Sequence, residues 1–139
     1  MEDTLLFQLR ITVSDELAPA LRHDPLALAH PALHDVLHRH NASLKCQFDA
    51  FADYVHEAEQ QDPDNYPLYD WTLKTIENPE KKAKYLRSFT LYANGEEVYG
   101  KEIADVLEAA LSALVGQGGI EKVFRYDTNP AHNPQPPAR

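Results

Sequence analysis

The sequence predicts a small α+β domain, on three observations. Residues 5 to 13 alternate apolar and polar side chains; residues 31 to 60 and 101 to 115 place apolar side chains at intervals of three and four; and Asn94-Gly95 separates two short runs rich in strand formers. A chain of 139 residues that is 43% hydrophobic and 25% charged is suited to one core and hence one domain.

Leu5, Phe7, Leu9, Ile11 and Val13 lie on one side of the first segment, with Gln8, Arg10 and Thr12 on the other, as in a strand with one buried face. Ser14 then supplies a capping hydroxyl, and Asp15 and Glu16 suit the positive end of a helix dipole. Pro19, Pro25 and Pro31 keep any helix there short or broken. From Pro31 to about Gln60, a helical reading puts Leu33, Leu37, Leu44, Phe48, Phe51 and Val55 on one face and Asp49, Asp53 and Glu57 nearly opposite, so one long helix or two in line is expected. Leu44, Cys46 and Phe48 also alternate as a strand would, which makes residues 41–48 the ambiguous stretch.

Asp62-Pro63-Asp64-Asn65-Tyr66-Pro67 has loop composition, and a short helix over 68–77 is expected to end at Asn78-Pro79. Asn94-Gly95 best satisfies the two positive φ angles of a type I′ turn, which predicts a tight hairpin of Phe89 to Ala93 with Glu96 to Tyr99. Ile103, Val106, Leu107, Ala110, Leu111 and Leu114 predict a helix over 101–115 closed by Gly116. Gly118-Gly119 then leads into a last strand over 120–126. We therefore expect a single α+β domain over 1–127 and a Pro-rich, disordered tail over 128–139. Joined in this order, the elements predict a ferredoxin-like βαββαβ arrangement, a four-stranded antiparallel sheet with helices on one face. Its first crossover is enlarged, running from about Ser14 to Lys84.

The formal charge of −9 argues against a nucleic acid or an anionic membrane as partner. Much of it is local. Seven acids (Asp49, Asp53, Glu57, Glu59, Asp62, Asp64 and Asp70) lie between Cys46 and Leu73 without a Lys or Arg. Interleaved with them are Tyr66, Tyr69 and Trp71. Charge speeds encounter with a basic protein and an aromatic ring supplies the desolvated anchor, so Asp49, Asp53, Glu57, Asp64, Tyr66, Tyr69 and Trp71 form the candidate partner-binding set. A solvated helix face with core-packed aromatics accounts for the same residues. Lys81, Lys82 and Lys84 are too few for nucleic-acid recognition.

His34 and His38, four residues apart, share a helical face at a spacing that lets two imidazoles meet one metal. Asp35 stands where a metalloprotease motif has Glu, and no third ligand follows at a suitable interval, so no metal is expected. Cys46 is the sole cysteine and reads as a small buried hydrophobe. The loop of Asp62, Asp64 and Tyr66 lacks the turn glycine of a calcium site, and Gly116 to Gly119 lacks the Lys and hydroxyl of a phosphate loop. No catalytic set and no cofactor motif is complete.

The N-terminal residues lack the basic and apolar blocks of a signal peptide, so a soluble, cytoplasmic protein is expected. Two function classes follow. The favoured one is a non-enzymatic protein-binding module of inhibitor, immunity or regulatory type; the other is a small-molecule-binding protein or enzyme, with a pocket between sheet and crossover that includes His34 and His38. Homodimerisation through an open sheet face is compatible with either.

Overall fold

The computed structural model describes residues 6–24 and 26–127; the expected tail, Leu5 and Pro25 lie outside them. Five strands and six α-helices follow in the order β1 (Leu6–Val13), α1 (Leu17–Leu21), α2 (Pro31–Arg39), β2 (Ala42–Cys46), α3 (Gln47–Gln60), α4 (Tyr69–Glu77), α5 (Pro79–Leu86), β3 (Ser88–Ala93), β4 (Tyr99–Gly100), α6 (Lys101–Ser112) and β5 (Ile120–Asp127). A single 3₁₀ turn, Pro63–Asn65, joins α3 to α4.

The sheet is open and antiparallel. β1 lies inside it, with β5 along one edge from Phe7↔Asp127 to Val13↔Ile120 and β3 along the other from Leu9↔Leu91 to Thr12↔Ser88. β2 pairs with the far side of β3. The first and last predicted strands thus share a ladder, and the strand order is compatible with a ferredoxin-like arrangement. Opposed residues in an antiparallel pair point to the same face. Leu9, Ile11, Val13, Phe89, Leu91 and Leu44 therefore make one apolar surface, on which Leu21 of α1, Leu33 and Leu37 of α2, and Leu107 and Leu111 of α6 close the core. Phe89, Leu9 and Ile11 have 0% exposure, and each such side chain contributes about 1.5–3 kcal/mol through burial.

The long-helix reading fails at Asn41, where φ is +50°. A left-handed residue after α2 reverses the chain, and Ala42, Leu44 and Cys46 then alternate as buried positions against β3. The strand periodicity wins because it has a partner strand to pair with; a helix there would leave that edge of β3 bare. The sheet consequently has five strands rather than four. The enlargement lies between β2 and β3, where α3, α4 and α5 are inserted, rather than in the first crossover. Asn78-Pro79 does end α4, and it also starts α5, because the Asn78 side chain accepts from the Glu80 and Lys81 N–H groups and Pro79 needs no helical donor.

The Asn94-Gly95 turn forms with φ of +54° and +80°. The predicted hairpin shrinks to one bridge, Ala93↔Glu96, and Tyr99–Gly100 pairs instead with Phe7 and Leu6 of β1. Tyr99 is the reason. Its buried hydroxyl accepts from the Leu9 N–H at 2.9 Å and donates to the Leu91 C=O at 2.9 Å, so a phenol joins β1 to β3 where those strands part. Burial pushes that phenol up to about 12, partly opposed by the bond from Leu9.

Replacing Tyr99 by Phe leaves both backbone groups without this partner, and the unfolding free energy is expected to fall by about 1–3 kcal/mol in a denaturant titration. An acid whose folded value is raised stabilises fully below its unfolded value of about 10 and loses that contribution as the pH climbs through about 12. The wild-type chain therefore loses stability across that alkaline window, and Tyr99→Phe has a flatter profile there.

Candidate functional site

The acidic stretch is built on α3, the 3₁₀ turn and α4. Asp49, Asp53 and Glu57 sit at successive intervals of four on α3, whose opposite side buries Val55 and Ala58. Phe51 packs edge-on to Trp71 at 6.0 Å and to Tyr85 at 4.9 Å between ring centroids, tying α3 to α4 and α5 in a small cluster of its own. Trp71 is thus half-buried in packing between helices. Asp62 caps the 3₁₀ turn by accepting from the Asp64 N–H at 3.1 Å, which leaves the Asp64 side chain exposed.

The predicted stripe divides into two parts. Next to the sheet, each acid meets a cation. Arg22 donates to Asp49 from Nη2 at 2.5 Å and Nε at 3.0 Å, a two-point contact joining the end of α1 to the first turn of α3. The guanidinium holds the Asp49 carboxyl below the usual carboxylate range, and the hydrogen bond to Asp49 raises Arg22 in turn. Lys45 on β2 donates to Asp53 at 2.7 Å, which raises the lysine. Asp49 is a structural clamp as well as surface charge, while the Lys45–Asp53 pair lies exposed at the surface.

Farther along, the partners are phenols. Tyr66 donates its hydroxyl to Glu57 at 2.7 Å and Tyr69 donates to Glu59 at 2.8 Å, and each bond to a carboxylate raises its tyrosine above the ordinary value. A phenol bond orients a carboxylate without cancelling its charge. Among the described residues, Glu57, Glu59, Asp62 and Asp64 have no ion pair, and Lys74 is the sole Lys or Arg from Cys46 to Asn78. Tyr54 carries a role that was not singled out in the sequence: its hydroxyl accepts from the Leu68 N–H at 3.1 Å and its ring meets Tyr66 edge-on at 5.5 Å, setting the position of the loop.

Neither a protein-family model, nor a curated protein, nor a solved structure matches this chain.

His34 and His38 lie on the outer side of α2, with ring centroids 6.0 Å apart. His34 Nδ1 is 2.8 Å from the Leu26 carbonyl, a contact that requires it to donate. No group of three His, Cys, Asp or Glu among the described residues is placed to hold a metal ion. Between the sheet and α2 lie Leu33 and Leu37, both with 0% exposure. A shallow groove of about 280 Å³ lies elsewhere, between His40, Asn94 and the Glu102 to Leu107 side of α6.

His30 has a structural task instead. Its Nδ1 accepts from the Leu33 N–H at 3.1 Å, capping α2, and its Nε2 donates to the Gln117 C=O at 3.0 Å. Gly118 beside it has φ of +58°, and a Cβ there would stand 2.6 Å from His30 Nε2. Cys46 is buried, its thiol points at the Tyr85 and Leu86 carbonyls, and burial pushes its pKa up. No helix among the described residues is long and apolar enough to cross a membrane.

A carboxylate with a lowered folded value contributes stability above its unfolded value of about 3.9 and loses it as the pH falls through the folded value. Asp49→Asn is expected to reduce stability near neutral pH by about 1–3 kcal/mol. It should also flatten the decline below about pH 4, as read by thermal melts at stepped pH. An unchanged acid profile would show that the Arg22 contact contributes nothing to folding.

Proposed function

We propose that this chain is a non-enzymatic protein-binding module, of inhibitor, immunity or regulatory type, that recognises a basic protein through the far half of α3, the 3₁₀ turn and the start of α4. The observation behind this reading is the division of the acidic stripe. Asp49 and Asp53 are neutralised next to the sheet, while Glu57, Glu59, Asp62 and Asp64 keep their charge outside any ion pair among the described residues. Tyr66 and Tyr69 add half-buried rings with ordered hydroxyls, which suits an anchor that loses little side-chain freedom on binding. Trp71 supports these rings through Phe51 and is assigned to the site as a packing residue.

The same proposal takes the scaffold as ferredoxin-like, with β5, β1, β3 and β2 as its four principal strands and α3–α5 as an insertion that carries the binding surface. The compatible strand order supports it. A cytoplasmic setting belongs to this reading too, supported by a buried thiol with no second cysteine in the sequence to pair with. The small-molecule alternative has less behind it, since no group of three His, Cys, Asp or Glu among the described residues gathers beside His34 and His38.

Glu57→Lys combined with Asp64→Lys tests the assignment while sparing the Asp49 and Asp53 pairs. Partners retained by the immobilised wild-type chain should be lost by the variant. With a purified partner, the association rate should fall about tenfold or more at low salt, with a smaller change at high salt. Retention of the same partners at equal affinity by a variant that melts like wild type would refute the surface.

A further inference from the structure

The face of the sheet opposite the core is charged in the opposite sense to the whole protein. The ladder pairs place Arg10 opposite Thr90 and Phe124, Thr12 opposite Lys122, Gln8 opposite Tyr126, and Thr90 opposite Lys45. Three cations (Arg10, Lys45 and Lys122) and three aromatics (Tyr92, Phe124 and Tyr126) therefore share one surface with Ser, Thr and Gln. No residue that the ladder pairs place on that face is an acid; Glu121 of β5 lies unpaired in the ladder at the register shift between Ile120 and Lys122. Among the described residues the acids are carried by helices, loops, the other face and the β5 register shift. Acids reach this surface at its β2 side, where Asp53 meets Lys45 at 2.7 Å and Glu97 meets the Tyr92 hydroxyl at 3.4 Å. On the β1–β5 half Gln8 donates to the Glu97 C=O at 3.4 Å and accepts from Arg10 Nε at 2.6 Å, and among the described residues Arg10 and Lys122 make no ion pair.

On that half, Phe124 is 40% exposed. Its ring lies 6.2 Å from that of Tyr126, two residues along the same strand. The Arg10 guanidinium sits 4.4 Å from the Tyr126 centroid, and Lys122 Nζ sits 5.9 Å from that of Phe124. Two rings tilted by 39°, each with a cation over one of its faces, match a polyanion that also presents flat rings. We propose that the β1–β5 half of this face binds single-stranded nucleic acid, with bases on Phe124 and Tyr126 and phosphates at Lys122 and Arg10. An acidic protein segment would satisfy the cations and leave the rings without a stacking partner. A duplex would satisfy the cations with its bases stacked out of reach.

Fluorescence anisotropy of the full chain with labelled ten-nucleotide DNA and RNA single strands, and with a duplex of the same length, at low salt tests this. Single strands should bind at least about tenfold tighter than duplex, with a modest salt slope of about −1.4, as two neutralised phosphates give. Phe124→Ala should weaken binding about fivefold or more, in line with the loss of one stacked base. Lys122→Glu should weaken it and flatten the salt slope; both positions are exposed, and thermal melts establish that the variants fold. Preference for RNA or for DNA supports the proposal equally. Absence of single-strand binding, equal binding of duplex, or wild-type affinity in folded Phe124→Ala would overturn it. Light scattering that shows a dimer abolished by Phe124→Ala, without oligonucleotide binding, would assign the face to a second copy of the chain instead.

Discussion

The structure depends on β1 being bonded along both edges while its odd-numbered side chains face a single core. Leu9, Ile11 and Val13 have 0% exposure, and the strands on either side place Leu91, Phe89 and Ile120 beside them. A shift of one residue in either ladder would turn these side chains to the open face and bring Arg10 and Thr12 into the core. That constraint sets the register of β3 and β5, and through them the positions of β2 and α6. Tyr99 completes the same interaction where β3 departs, supplying by a side chain the donor and acceptor that the next ladder residue would have supplied.

The inserted helices obey a different constraint. α3, α4 and α5 have a cluster built on Phe51, Trp71 and Tyr85, and they are joined to the main body by Phe48 and Leu86, which pack against the core, and by the Arg22–Asp49 contact. A charged pair at that position is useful because α3 would otherwise bring several carboxylates close to the sheet with nothing opposing them. Once two are paired, the remainder are directed outward. The protein thereby separates its charges: negative on the outer insertion, positive on the open β1–β5 face.

Local signals were legible where one residue type answers one geometric demand. Asn94-Gly95 gives the turn, Ser14 Oγ accepts from the Leu17 N–H as a cap, and the first and last strands show their period directly. The stretch 41–46 was not legible, because Leu44 and Cys46 fit both periods and the deciding fact is the vacant edge of β3, almost fifty residues away in the chain. The hairpin was over-read for a related reason: Glu96 to Tyr99 has strand composition, yet Tyr99 gains more by inserting its hydroxyl between β1 and β3 than by pairing across the turn. In the candidate site, the stripe Asp49, Asp53, Glu57 was visible from its spacing, whereas its partners Arg22, Lys45 and Tyr66 have no sequence interval that announces them.

By itself the sequence determined the class of fold, the apolar face of β1, the local turn and caps, and the concentration of acids between Cys46 and Leu73, since each follows from neighbours within a few residues. Only the tertiary structure decided which carboxylates meet a cation, where the insertion lies, and that the sheet face opposite the core gathers Arg10, Lys45 and Lys122 with three aromatics. Those are sums over residues far apart in the chain. Periodicity has a range of a few residues, while charge and packing act through space.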